Sequence, residues 1–154
     1  MSRAFVKESD DVPELPDRPV SPNANPVTGR GLELIDAEIS RYRAAFSAAQ
    51  AKGDRPAVAA AARELRYWTA RRASADPQPP PGDAESIRFG STVTIERDDG
   101  RTQTFRIVGE DEADPTAGSL SYASPLARAL IGKAIGDVVP AGKDEAEVVG
   151  IAAG

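Results

Sequence analysis

Carboxylates, hydroxyls and lysines are the side chains left for chemistry in this chain, because its 154 residues include neither cysteine nor histidine. Thiolate nucleophiles, disulfides, Cys/His zinc sites and imidazole acid-base catalysis are excluded together. A metal would have to be held by carboxylates or borrowed from a partner. Asp54 and Glu64 are near in sequence, yet on one helix they lie about two and a half turns apart, too far to share an ion. Asp54 has a simpler use as the cap of a helix start. Ser124-Pro125 joins a capping hydroxyl to a residue suited to a first helical turn. Arg63, Arg66, Arg71 and Arg72 could form a basic face toward RNA or an acidic protein surface, although scattered helix arginines are more often solvated.

The elements that carry these residues follow from periodicity. Leu32, Ile35, Ile39, Tyr42, Phe46 and Ala49 are spaced three, four, three, four, three, which places them on one stripe of one helix. Thr28 is followed three residues later by Gly31 rather than Glu, so this helix starts without a capping box and its first turn is expected to fray. Lys52-Gly53-Asp54-Arg55-Pro56 supplies a stop and a start, and Val58, Ala61, Leu65 and Trp68 repeat the stripe on a second helix to about Ser74. The two stripes predict an antiparallel helical hairpin, an arm of residues 27–76. Residues 1–26 are acidic and proline-punctuated, which predicts a flexible tail, with a short docking peptide on Phe5 and Val6 as the alternative. The prolines of residues 77–84 predict a semi-rigid linker.

Beyond the linker the period becomes two, in Ser91–Glu96 and Thr104–Val108 around Asp98-Asp99-Gly100, which predicts a hairpin. A short run at Ser119–Ala123, a helix opened by Ser124-Pro125 and a last strand in Glu145–Ile151 complete the order β-β-β-α-β. Residues 85–154 are thus expected to form an α+β domain with one helix over an antiparallel sheet.

The net charge of -5 is uneven: residues 31–76 carry +2 and residues 77–154 carry -6. Duplex DNA is a poor direct partner for so acidic a half, and a basic protein surface a better one. Met1–Asp11 lacks the apolar core of a signal peptide, and there is no run of ~20 apolar residues. The expectation is a soluble, cytoplasmic protein that does not engage a membrane.

Ile87–Ile95, Thr104–Asp114, Ser124-Pro-Leu-Ala-Arg-Ala-Leu-Ile-Gly-Lys133 and Ile135–Val138, read in order, resemble the carboxy-terminal domain of the Gre (GreA/GreB) transcription elongation factors. Pro26–Leu32 followed by a helical hairpin is similar to that family's amino-terminal arm. The resemblance implies an FKBP-like second domain that attaches to bacterial RNA polymerase at the rim of its secondary channel, with the coiled-coil arm entering the channel. It makes Ser124, Pro125 and Leu126 docking residues, beside Ala123 where the family usually has Asp or Asn. The arm's tip here is Gly53-Asp54-Arg55. Cleavage-competent members carry an Asp and a Glu that help hold a second metal ion in the polymerase active centre. Asp54 matches the Asp, Ala57 stands at the Glu, and Arg55 adds an opposing charge. A lone carboxylate binds Mg²⁺ weakly, so no cofactor is expected beyond an ion shared with the polymerase. Each helix is about two turns shorter than in those members, which withdraws the tip by roughly 10 Å or more.

The implied function is a monomeric polymerase-binding regulator, not an enzyme, that reaches nucleic acid only through the transcription complex and does not stimulate efficient transcript cleavage. Three alternatives are a conventional anti-arrest factor drawing its second acid from Glu64, a peptidyl-prolyl isomerase with Phe89, Phe105 and Tyr122 lining a proline pocket, and a dimerisation module anchored by Tyr67 and Trp68.

Overall fold

The computed structural model describes residues 15–154. The first fourteen residues of the expected tail, with Phe5 and Val6, lie outside the described residues. The described residues form two compact units, one comprising residues 15–21 and 35–73, the other residues 22–34 and 74–154. The beginning of the arm's first helix therefore belongs with the carboxy-terminal unit.

Helix α1 (Gly29–Lys52) and helix α2 (Arg55–Ser74) meet at a tight turn. Gly53 takes φ +67°, the left-handed region that glycine enters without strain. The Gly53 amide donates to the Gln50 carbonyl at 3.1 Å and the Asp54 amide to Ala49 at 3.0 Å, which satisfies the last carbonyls of α1. Arg72, near the end of α2, pairs with Asp36, near the start of α1, at 2.9 Å, so the helices run antiparallel. Ile35, Ile39, Ala49, Ala61 and Trp68 of the two stripes are buried.

The first turn of α1 is held more firmly than its sequence promises. The Thr28 hydroxyl accepts from the Gly31 amide at 2.9 Å and donates to the Glu112 carboxylate, 84 residues away. Glu112 orients the capping hydroxyl from outside the helix, a different bond from the one an acid at position 31 would make to the Thr28 backbone N–H.

In the second unit, strands β1 (Pro26–Val27) and β2 (Asp76–Pro77) form a short parallel pair. Strands β3 (Thr92–Arg97), β4 (Thr102–Val108), β5 (Ser119–Ser121), β6 (Val138–Ala141) and β7 (Asp144–Ala152) form a sheet in the order β5-β4-β3-β7-β6. Helix α3 (Pro125–Leu130) packs Ala127 and Leu130 onto a core of Ile87, Val93, Ile95, Ile107, Val139 and Val148. This is the expected α+β arrangement. The β3-β4 hairpin closes on three residues, with left-handed Gly100 last. The Arg101 backbone N–H donates to Asp99 there and holds its carboxyl below the usual range.

Two features depart from the expected sheet. β5 lies parallel to β4, because residues 109–118 carry the chain back across before it pairs, so the sheet is mixed rather than antiparallel. β6 is an additional strand that Pro140 disguises; at an edge the missing N–H costs no ladder bond, while Val139 and Ala141 alternate into the core.

The linker prolines are engaged as well. Pro77 pairs in β2, and buried Pro81 lies so close to Gly90 that a Cβ there would stand 3.0 Å from its ring. Gly109 is tighter still, since a Cβ would meet the Pro26 carbonyl oxygen at 2.5 Å. Backbone cannot yield as a side chain does, so Gly109→Ala is expected to cost about 1–3 kcal/mol, read as a lower urea midpoint with an unchanged m-value.

Candidate functional site

The turn between β5 and α3 holds the residues singled out for docking. Ser124 is the N-cap of α3: its hydroxyl accepts from the Ala127 amide at 3.3 Å and donates to the Ser121 carbonyl at 2.8 Å. The Ser124 amide also donates to the Ser121 carbonyl, and the Ala123 amide donates to the Ser121 hydroxyl at 3.1 Å. Pro125 follows at the first helical position, exposed, while Leu126 turns inward against the core. Ala123, Ser124 and Pro125 thus share one rigid turn whose serine is committed to internal bonds, and the ring of Pro125 is its outward feature. Ser124→Ala is expected to cost about 1 kcal/mol through the lost cap, with Ser124→Thr restoring most of it, in chemical denaturation.

Tyr122 braces this turn. Its hydroxyl donates to the Ala24 carbonyl, and its ring stands edge-on to Phe89 with centroids 6.1 Å apart. Asn23, Ala24, Tyr122, Ala123, Arg128 and Ile131 line a shallow groove beside it. The aromatic residues proposed for a proline pocket are spent on packing: Phe89 and Tyr122 on each other, Phe105 on the core.

At the arm's tip Asp54 is exposed, and its carboxylate accepts from the Ala57 amide at 3.2 Å. It is the N-cap of α2, with Pro56 in the first turn. Glu64 faces Arg18 at 2.8 Å and Arg63 at 3.5 Å, so the alternative second acid is bound up in ion pairs. Among the described residues no three Asp, Glu, His or Cys side chains cluster as metal ligands. The donor set at the tip, one carboxylate already accepting a helix N–H, does not fit a metal site of the chain's own. Asp54→Ala is expected to lower arm stability by about 1 kcal/mol, seen as a lower thermal midpoint of helical ellipticity.

The four arginines are engaged rather than simply solvated. Arg63 donates to the Pro16 carbonyl, Arg66 to Asp17 and to the Leu15 carbonyl, and Arg72 to Asp36. Arg71 is 1% exposed. Tyr67 and Trp68 stand edge-on to each other with Arg18 over the Tyr67 ring, so these rings have partners within the chain. Sequence periodicity could not reveal the partners of Arg63, Arg66 and Tyr67, because these come from the proline-punctuated stretch assigned to the tail.

Residues 82–153 match the family model for the carboxy-terminal domain of the transcription elongation factors GreA and GreB. Over 148 aligned positions the chain is 38% identical to the transcription elongation factor GreA of Ralstonia nicotianae, covering 80% of this chain and 94% of that protein. The chain belongs to the GreA/GreB family. A further GreA/GreB relative, the transcription elongation factor GreA of Thermomicrobium roseum, is 43% identical over 100 residues, 65% of this chain and 62% of that protein. The crystal structure of GreA factor homolog 1 of Thermus thermophilus is 25% identical and covers 84% of this chain and 99% of that one, with a TM-score of 0.41. In the Ralstonia alignment, 80% of 154 residues is about 123, against 148 positions, so that GreA carries about 25 residues that this family member lacks within the matched span. Among the described residues no helix is long and apolar enough to cross a membrane.

Proposed function

We propose that this chain is a transcription elongation factor of the GreA/GreB type that docks as a monomer on bacterial RNA polymerase, at the rim of the secondary channel, and does not stimulate efficient transcript cleavage. Docking runs through the turn of Ala123, Ser124 and Pro125, with Leu126 anchoring it from the core side. The factor acts in the cytoplasm, touches nucleic acid only through the transcription complex, and works on the polymerase rather than as an enzyme.

The observation that carries the cleavage part is the tip: Asp54 serves as a helix cap, Ala57 occupies the place of the second acid, and no neighbouring carboxylate is free to replace it. Two oxygen donors poised toward the polymerase active centre are what a second metal ion would need. The chain has about 25 residues fewer than the Ralstonia protein over the matched span, and each one that falls in the arm's helices shortens that helix by about 1.5 Å. The acidic balance of residues 77–154 suits a basic docking surface.

Backtracked elongation complexes with end-labelled RNA test the reading. With saturating factor, cleavage is expected to stay at the rate of polymerase alone, whereas a cleavage-competent GreA in the same reaction accelerates it. Acceleration by this chain comparable to that GreA's overturns the reading.

A further inference from the structure

We propose that α2 carries a binding site for an extended, proline-punctuated peptide with adjacent acidic and basic residues, filled in this chain by its own Leu15–Arg18. Four consecutive residues of that segment are gripped from one face of the helix. The Arg66 Nη2 donates to the Leu15 carbonyl at 3.2 Å and the Arg63 Nε to the Pro16 carbonyl at 2.7 Å. The Arg66 Nε donates to the Asp17 carboxylate. Arg18 donates to Glu64 at 2.8 Å, and its guanidinium carbon sits 3.7 Å from the centroid of the Tyr67 ring and 5.8 Å from that of Trp68.

The division of labour is that of a peptide site. Backbone carbonyls, which every residue offers, are read by two arginines one turn apart. The Asp-Arg pair is read by charge complementarity and by cation-π contact with an aromatic face. The sequence of the bound segment suits such a site, because Pro13, Pro16, Pro19 and Pro22 recur every third residue, the period of the polyproline II helix. That conformation makes no internal hydrogen bonds, so its carbonyls are free to accept, and proline holds it extended with little ordering cost on capture. Leu15, Pro16 and Asp17 remain exposed although held, and exposed ion pairs are individually weak. The resident segment is therefore displaceable by a peptide of the same chemistry once its own grip is loosened. Capture of the peptide by α2 requires no polymerase and is independent of the proposed docking.

The test uses the full-length chain carrying Asp17→Ala and Arg18→Ala, which frees the site, and a fluorescein-labelled synthetic peptide of residues 12–21. Fluorescence anisotropy should show the peptide binding this variant at least tenfold more tightly than wild type, whose tethered segment competes at a high effective concentration. Adding Arg66→Ala to the variant should weaken the peptide at least tenfold, as should reordering the peptide so that its prolines lose their three-residue spacing. A variant with native ellipticity that ignores the peptide at millimolar concentration overturns the proposal, and so does equal binding of the reordered peptide. Wild type gives a check that no substitution can compromise: in its NMR spectrum the Arg18 side-chain protons should be shifted upfield by the Tyr67 ring. Random-coil positions for those protons would show the site unfilled and sink the inference.

Discussion

Replacing Arg71 with alanine should cost about 3–5 kcal/mol, because the side chain is 1% exposed and its removal takes a large, fully packed group and its bonds out of the fold. In a chain of this length that loss should lower the melting temperature of the helical ellipticity by about 10 °C or more. Burial, not charge, drives the size of the effect. Arg72, one residue on, is 46% exposed in its side chain and paired with Asp36, itself 54% exposed, so Arg72→Ala should cost less than about 1 kcal/mol. Equal melting temperatures for the two variants would contradict the burial. Arg71→Met, which keeps length and apolar contact, should fall between them.

The second large effect is a gain of function. If the tip lacks both an acid and reach, then Ala57→Glu alone should leave transcript cleavage at the rate of polymerase alone. Two further turns inserted into each helix, in register with the stripes of Ile35, Ile39, Ala61 and Trp68, should also do nothing by themselves. Together the changes should accelerate cleavage at least tenfold, because two carboxylates then arrive where one ion can use both. Restoration by Ala57→Glu alone would show that the native arm already reaches; failure of the combined variant, with docking intact, would show that more than these two features is missing.

The legible parts of this molecule were the local ones. The stripe of the arm, the Gly53 turn and the Ser124-Pro125 helix start are each written within a few residues, and the structure realises them through bonds of short range. Long-range partnerships were not legible. Glu112 accepts from the Thr28 hydroxyl that caps α1, 84 residues away, Tyr122 reaches the Ala24 carbonyl, and Arg18 stacks on Tyr67 from a stretch whose composition reads as tail. Pro140 hid β6 because proline is read as a strand breaker, and only the edge position makes it harmless. At the candidate sites, residue types indicated caps at Asp54 and Ser124. The second use of the Ser124 hydroxyl, toward Ser121, required the fold.

Docking on the polymerase is tested most directly by competition binding. Purified bacterial RNA polymerase holding a labelled, cleavage-competent GreA should lose that label as this chain is added. Pro125→Ala, which leaves the Ser124 cap in place, should weaken the competition by about tenfold, or roughly 1.4 kcal/mol, with melting temperature nearly unchanged. If the intact chain at saturating concentration leaves the labelled GreA in place and binds the polymerase nowhere else, the docking claim is contradicted.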